Sequence, residues 1–121
     1  MKLIEESKRP WGKYIVIEDW PNYKLKKITV DPGQRISYQY HKKRSESWTI
    51  TEGSGEVIID GEKISVNYGD IIKINTGSKH RVINNSSSIL EFIEVQTGSY
   101  FGEDDIVRIE DDYNRRWNQN V

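Results

Sequence analysis

The apolar residues of this chain are nearly all of one kind. Seventeen isoleucines and 8 valines stand against 3 leucines and no alanine, with 13 aromatic side chains beside them. β-Branched side chains are stiff in a helix and pack well on a pleated surface, whereas helices draw on Ala and Leu. The chain therefore reads as all-β. No stretch carries a long apolar stripe at helical period; short alternating runs recur instead. Predicted strands cover 13–18 (KYIVIE), 23–30, 34–40, 46–52, 55–60, 62–66, 70–75, 80–84 and 89–97, with a short one near 106–109. Turn signals separate them: Asp31-Pro32-Gly33, Gly53-Ser54-Gly55, Asp60-Gly61, Tyr68-Gly69-Asp70 and Thr76-Gly77. Asp60-Gly61, between GEVII and EKISV, predicts a two-residue type I′ hairpin, which needs positive φ at both central positions. Many short strands so punctuated indicate a small sandwich or barrel.

A length of 121 residues is one domain. We take it as 1–121, with a core over about 9–109 and a polar tail over 110–121 (EDDYNRRWNQNV) that ends as a short helix or a loose end. Only 35% of residues are hydrophobic. Such a thin core favours an oligomer, and a homodimer is expected. Lys plus Arg is 18 and Asp plus Glu is 19, a net charge of −1 that argues against a general nucleic-acid or anionic-membrane binder. Without cysteine there are no disulfides and no thiolate metal sites. No apolar run reaches the ~20 residues that span a bilayer, and MKLIEESKRPW lacks a signal-peptide core. A cytoplasmic location is expected, which leaves the Asn-X-Ser sequons at Asn84 and Asn85 without a role.

The chain has two histidines, His41 and His80. Gln39 and His41 lie two apart at a predicted strand, so their side chains share a face. Glu46 begins the next strand, and His80 begins a later one. Two imidazoles, a carboxylate and an amide oxygen suit a divalent ion of intermediate hardness, Zn²⁺ first, with Mn²⁺, Fe²⁺, Co²⁺ or Ni²⁺ as alternatives. Read singly, each histidine is an ordinary surface or core residue. That reading must explain why both occupy Gly-framed strand positions.

The pattern Gly33-x5-Gln39-x-His41-x4-Glu46-x6-Gly53 resembles the first motif of the cupins, with Gln in place of its first His. Gly69-x5-Asn75-x-Gly77-x2-His80-x3-Asn84 resembles their second motif, with Asn in place of Pro. This resemblance implies a double-stranded β-helix, a small antiparallel jelly roll whose four ligands, Gln39, His41, Glu46 and His80, converge inside. A narrower resemblance covers about 9–115. RPWGKY, YKLKKITVDPGQ, SYQYHKKRSESW, HRVIN and ILEFIEVQTGSYFGEDDIVRIEDDYNR are similar to the type II mannose-6-phosphate isomerase family, usually the C-terminal part of a bifunctional enzyme behind a mannose-1-phosphate guanylyltransferase domain. The guanylyltransferase half is not expected of these 121 residues. Lys42, Lys43 and Ser47 stand where the family commonly has histidines; the two lysines flank the expected pocket mouth, as substrate-binding groups or as solvated side chains.

The resemblance implies interconversion of mannose 6-phosphate and fructose 6-phosphate. Such a reaction moves a proton between C1 and C2 through an enediolate, with the metal as Lewis acid and a general base over the carbon. With both histidines assigned to metal, the base is a carboxylate, a lysine or metal-bound hydroxide. Glu94, on ILEFIEVQ, is the leading candidate; Glu91, on the other face, and Glu103, Asp104 and Asp105 are alternatives, the last three reading more simply as a solvated cap. For the phosphate, Arg44 and Arg108 fall on family-matched positions and are assigned both catalytic and substrate-binding roles. Arg81 should point away from His80 into a surface salt bridge. Trp11 and Trp48 read as packing residues. Two other functions stay open: an isomerase or epimerase of another sugar phosphate or nucleotide-linked sugar, and a non-catalytic cupin that binds a sugar or a partner.

Overall fold

In the computed structural model, which describes residues 5–113, all regular structure is β. The strands are β1 (Glu5–Arg9), β2 (Gly12–Trp20), β3 (Tyr23–Val30), β4 (Tyr38–Tyr40), β5 (Arg44–Glu52) and β6 (Ser54–Ile59). They continue as β7 (Glu62–Asn67), β8 (Ile71–Ile74), β9 (His80–Ile83), β10 (Leu90–Gly98) and β11 (Val107–Glu110). Two antiparallel sheets result, one in the order β1-β2-β3-β10-β5-β8 and the other β11-β4-β9-β6-β7. Between them Val16, Ile28, Val30, Trp48, Ile50, Leu90 and Phe92 of the first sheet meet Val57, Val66 and Val82 of the second. Among the described residues no helix is long and apolar enough to cross a membrane.

The hairpin at Asp60-Gly61 forms as its dipeptide requires, with φ of 49° and 86°. Three expectations need correction. β1 escaped the sequence reading because EESKR has no apolar alternation; its backbone pairs with β2, from Glu5 against Val16 to Arg9 against Gly12, as an outer strand. The strand expected over 34–40 shrinks to β4, because beyond it the chain keeps only an isolated bridge from Arg35 to Ile83. The ordered chain also runs past 109. Glu110 belongs to β11, Arg35 clasps Asp112 at 2.7 and 2.8 Å, and Tyr113 packs against the core. The helix or loose end considered for the tail falls on 114–121, outside the described residues.

Register gives the interior a polarity gradient. Directly opposed residues of an antiparallel pair share a face. Across the larger sheet Tyr14, Ile28, Phe92 and Ile50 form one inner row. The next row is Lys26, Glu94, Trp48 and Ile72, and the one beyond is Lys24, Gln96, Glu46 and Ile74. One end of the barrel is thus dry and apolar, while the other is walled with buried charge.

Candidate metal centre and active site

The smaller sheet aligns the other half of the polar end. Gln39 on β4 lies opposite His80 on β9 and Arg108 on β11, so the three side chains share a face. His41 follows β4 directly, and Arg44 opens β5 opposite Gly98. Gln39, His41, Arg44, Glu46, Glu94 and Arg108 all line one cavity.

At its wall, His41 and Glu46, with His80 buried behind them, bring one donor atom each to within 4.8 Å of one another, and all three are buried. His41 Nδ1 is 3.6 Å from Glu46 Oε2, and His80 Nε2 is 3.9 Å from Glu46 Oε1. Ligand atoms bound at about 2.1 Å to one ion lie about 3.0–3.4 Å apart, so these side chains would draw somewhat closer around an ion. His80 Nδ1 donates its N–H to the Ser78 carbonyl at 2.9 Å, which turns Nε2 toward Glu46. That Nε2 is buried with no hydrogen-bond partner. A buried imidazole nitrogen oriented from behind and unsatisfied in front fits a metal ligand. Gln39 Oε1 accepts from Ser37 Oγ at 2.6 Å and retains acceptor capacity. The residues present therefore fit a divalent ion.

Electrostatics prepare the ligands in their binding forms. Burial pushes the His41 imidazole down to about 3, with the Arg44 and His80 charges adding to the effect, so it is neutral. Burial alone would raise the Glu46 carboxyl. The Arg44 guanidinium outweighs it and holds Glu46 well below the usual carboxylate range. Arg44 donates through Nε to Glu46 Oε2 at 2.9 Å and through Nη2 to His41 Nε2 at 3.0 Å, which leaves the proton of the neutral ring on Nδ1, toward Glu46; an ion would take the Nε2 lone pair in place of Arg44 Nη2. Its guanidinium is therefore bound to the ligand cluster rather than presented at the mouth as a phosphate fork.

Glu94 behaves in the opposite way. Burial, and then the negative charge of Glu46, raise its carboxyl well above the ordinary carboxylate range. Trp48 Nε1 bridges the two, at 3.0 Å to Glu46 Oε1 and 3.1 Å to Glu94 Oε1, and Gln96 Nε2 donates to Glu94 Oε2 at 2.7 Å. Two carboxyls in one pocket thus hold opposite protonation states near neutral pH. Trp48 is a packing residue as expected, stacked on Phe92 at 4.5 Å, and its indole N–H also couples the carboxyls.

The remaining expectations sort by strand parity. Glu91 faces outward, 3.4 Å from Lys27 and accepting from Thr51 Oγ1 at 3.1 Å. Asp104 accepts from the Tyr100 hydroxyl, and Asp105 accepts from the backbone N–H groups of Lys42 and Lys43, each at 3.0 Å. Glu103 leaves the role of solvated cap, because its side chain reaches the cavity wall. Lys42 and Lys43 do not line the cavity: they occupy the exposed turn between β4 and β5, and Lys43 Nζ lies over the Tyr100 ring at 5.2 Å. Arg81 points away from His80 as expected, but it is buried, donating to the Ile36 carbonyl at 3.0 Å and to Glu110 at 3.4 Å.

Lys26, Arg9 and Gln96 were missed. Lys26 and Arg9 line the cavity, and both lie over the Tyr14 ring, at 4.1 and 4.9 Å. Parity held the signal: if Ile28 and Val30 face inward along YKLKKITV, so do Lys24 and Lys26. The same alternation along LEFIEVQ places Gln96 beside Glu94.

A small two-sheet barrel with a His–Glu–His cluster at its polar end defines a cupin. Solved structures agree with the fold: a double-stranded β-helix protein of Klebsiella pneumoniae matches with a TM-score of 0.70 at 22% identity, over 79% of this chain and 82% of its own. A cupin-2 domain of Rhodospirillum rubrum matches at 0.68 and 17%, over 74% and 62%. Sequence narrows the class further. The chain belongs to the mannose-6-phosphate isomerase C-terminal family, whose model matches residues 1–111. It is 44% identical over 110 residues to a mannose-1-phosphate guanylyltransferase of Salmonella montevideo, covering 91% of this chain and 23% of that protein. It is also 44% identical over 107 residues to the xanthan biosynthesis protein XanB of Xanthomonas campestris, covering 88% and 23%. The alginate biosynthesis protein AlgA of Pseudomonas aeruginosa is 42% identical over 110 residues, covering 91% and 23%. The chain thus spans about a quarter of the length of these relatives, matching a sugar-related cupin domain within each.

Proposed function

We propose that this domain is a metal-dependent aldose–ketose isomerase that interconverts mannose 6-phosphate and fructose 6-phosphate. The observation that carries the reading is the pairing of a buried His–Glu–His cluster with a second carboxyl beside it, Glu94, whose proton affinity is raised. Gln39, His41, Glu46 and His80 would hold the ion, with Zn²⁺ the first choice. When bound, the ion supplies Lewis-acid stabilisation for charge developing on the sugar oxygens. Glu94 supplies the proton traffic: its carboxyl is raised to about 8, and in its ionised form it takes the proton from one carbon and, then protonated, returns it to the neighbouring carbon, so turnover should rise as pH approaches 8. Gln96 and Trp48 hold that carboxyl in place through both oxygens. Trp11, Ile28 and Phe92 exclude water from the inner wall of the cavity. Arg9, Lys26, Arg44 and Arg108 on the same cavity wall outnumber Glu46 and Glu103 as fixed charges, a balance that suits a phosphate dianion.

A coupled assay with mannose 6-phosphate, on protein stripped of metal and reloaded in turn with Zn²⁺, Mn²⁺, Co²⁺ or Fe²⁺, tests the reading. Turnover should appear with metal and vanish in His41→Ala and Glu46→Ala. Full metal occupancy without turnover of any hexose phosphate would sink it. The exposed lysines at 42 and 43 favour one second reading, an isomerase or epimerase of another sugar phosphate or nucleotide-linked sugar; a substrate panel in the same assay separates the two. We also propose a homodimer, supported by Tyr68 and Ile71, which are 77% and 74% exposed around edge strand β8. A monomeric mass by light scattering at micromolar concentration would exclude it.

A further inference from the structure

The sequence alone pointed to Lys42, Lys43, Arg44 and Arg108 for phosphate recognition, yet the first two lie outside the cavity and Arg44 is bound to the ligand cluster. The cavity wall carries another cation. Lys26 sits in the middle of β3 with its side chain only 3% exposed, pointing into the barrel one row from Glu46. A buried ammonium persists only where counter-charge or hydrogen bonds replace water. Across the ladder it faces Glu94, and the groups around it are Lys24, Arg9, Arg44 and the Tyr14 ring. Its ion-pair partner is Glu103, from the β10–β11 connection 77 residues away in sequence.

Glu103 is an unusual partner for so buried a cation. Its side chain is 43% exposed, and its other ion-pair contact is Lys24, at 3.9 Å. The connection that carries it is fastened independently of that carboxylate. Asp105 accepts from the Lys42 and Lys43 amides, the Ser99 amide donates to the Lys43 carbonyl at 2.9 Å, and Lys24 Nζ reaches the Phe101 carbonyl at 3.4 Å. Glu103 can therefore leave Lys26 without unfastening the loop. Arg9 lies over the same Tyr14 ring and donates to its hydroxyl at 3.1 Å, a second cation on the wall of the same cavity as Lys26 and Glu103.

We propose that Lys26, with Arg9 and Lys24 beside it, forms the subsite for a phosphomonoester group, and that the Glu103 carboxylate fills this subsite until the ligand displaces it. The exchange replaces one negative charge on a solvent-facing side chain by the two charges and three acceptor oxygens of a phosphate dianion. Lys26 and Arg9 bind the incoming phosphate, and Glu103 turns outward into water. The identity of the ligand rests on the phosphosugar reading above; the subsite itself does not require isomerase chemistry.

The test is binding, followed by isothermal titration calorimetry and by the fluorescence of the metal-loaded protein, in which Trp48 lies on the cavity wall. The probes are inorganic phosphate, mannose 6-phosphate and mannose. Glu103→Gln removes the competing charge and should tighten phosphate and mannose 6-phosphate by about tenfold while leaving mannose unchanged. Lys26→Met should weaken both phosphorylated ligands by about tenfold or more and erase the preference for mannose 6-phosphate over mannose. Unchanged or weaker phosphate binding in Glu103→Gln overturns the proposal, as does wild-type affinity in a folded Lys26→Met. If Lys26→Met does not fold, the surface-loop variant Glu103→Gln decides alone. The expected binding pattern without turnover would remove the isomerase reading and keep the subsite. Turnover with phosphate binding indifferent to both substitutions would do the reverse.

Discussion

Replacing Glu94 by Gln in the metal-stripped protein should change how stability depends on pH, and the sign follows from burial. The Glu94 side chain is 3% exposed, and its carboxyl is pushed up from 4.5 to about 8. Between those values the folded protein keeps a proton that the unfolded chain gives up. Stability from this group is complete below pH 4.5 and is lost as pH rises through about 8. At about 1.36 kcal/mol per pH unit the loss has a ceiling of about 5 kcal/mol, and sharing of the proton with Glu46 brings it to the order of 2–5 kcal/mol. That is a large part of the ~5–15 kcal/mol that holds a domain folded. His41 works on the other side. Its imidazole is lowered from 6.5 to about 3, so the unfolded chain takes up a proton first and stability falls as pH drops through that interval. Glu46, held low, adds to the acid loss below 4.5. The two opposing slopes cancel between about pH 4.5 and 6.5, where the metal-free protein should be most stable. Gln at 94 keeps an oxygen for Trp48 Nε1 and carries no titratable proton. Urea unfolding in chelator from pH 5 to 9 should show wild-type stability level up to pH 6.5 and falling above it, and the variant rising up to pH 6.5 and flat above it. Parallel profiles for the two proteins would refute the assignment of a raised carboxyl to Glu94.

Metal addition and backbone geometry supply two further predictions. Zn²⁺ at 100 times its dissociation constant should stabilise the wild type by about 2.7 kcal/mol, seen as a rise in melting temperature. In His80→Ala the rise should be lost, and an undiminished rise would place the ion elsewhere. Gly98 pairs with Arg44 at φ of 147°, and a Cβ there would lie 2.2 Å from the Lys43 carbonyl oxygen. Gly98→Ala should therefore destabilise by about 1–3 kcal/mol and, by moving the start of β5, weaken metal binding as well. Calorimetry of metal binding checks the second effect, and unchanged metal affinity in a destabilised Gly98→Ala would confine the damage to the strand end.

Much of the barrel was legible because strand alternation is a local property. β3 coincides with its predicted span, and Asp60-Gly61 turned as its dipeptide demands. β1 was illegible because a charged outer strand held by backbone pairing leaves no pattern in its side chains. The metal ligands were legible through spacing, since Gln39 and His41 are two apart and Glu46 and His80 open or adjoin strands. The cationic wall of the cavity was not. Lysines on YKLKKITV read as solvated until it is known that Ile28 and Val30 face the core, after which Lys24 and Lys26 must follow them inward.

By itself the sequence determined that the chain is β throughout, where it turns, and which residues can ligate a metal, because side-chain type and period-2 spacing act within a few residues. Only the tertiary structure decided which strands are neighbours. β10 lies between β3 and β5, and that long-range pairing brings Glu94 beside both Lys26 and Trp48. The same pairing lowers the proton affinity of Glu46 and raises that of its neighbour Glu94. Burial and the charge of adjacent groups set proton affinity, and both depend on contacts between residues far apart in the chain.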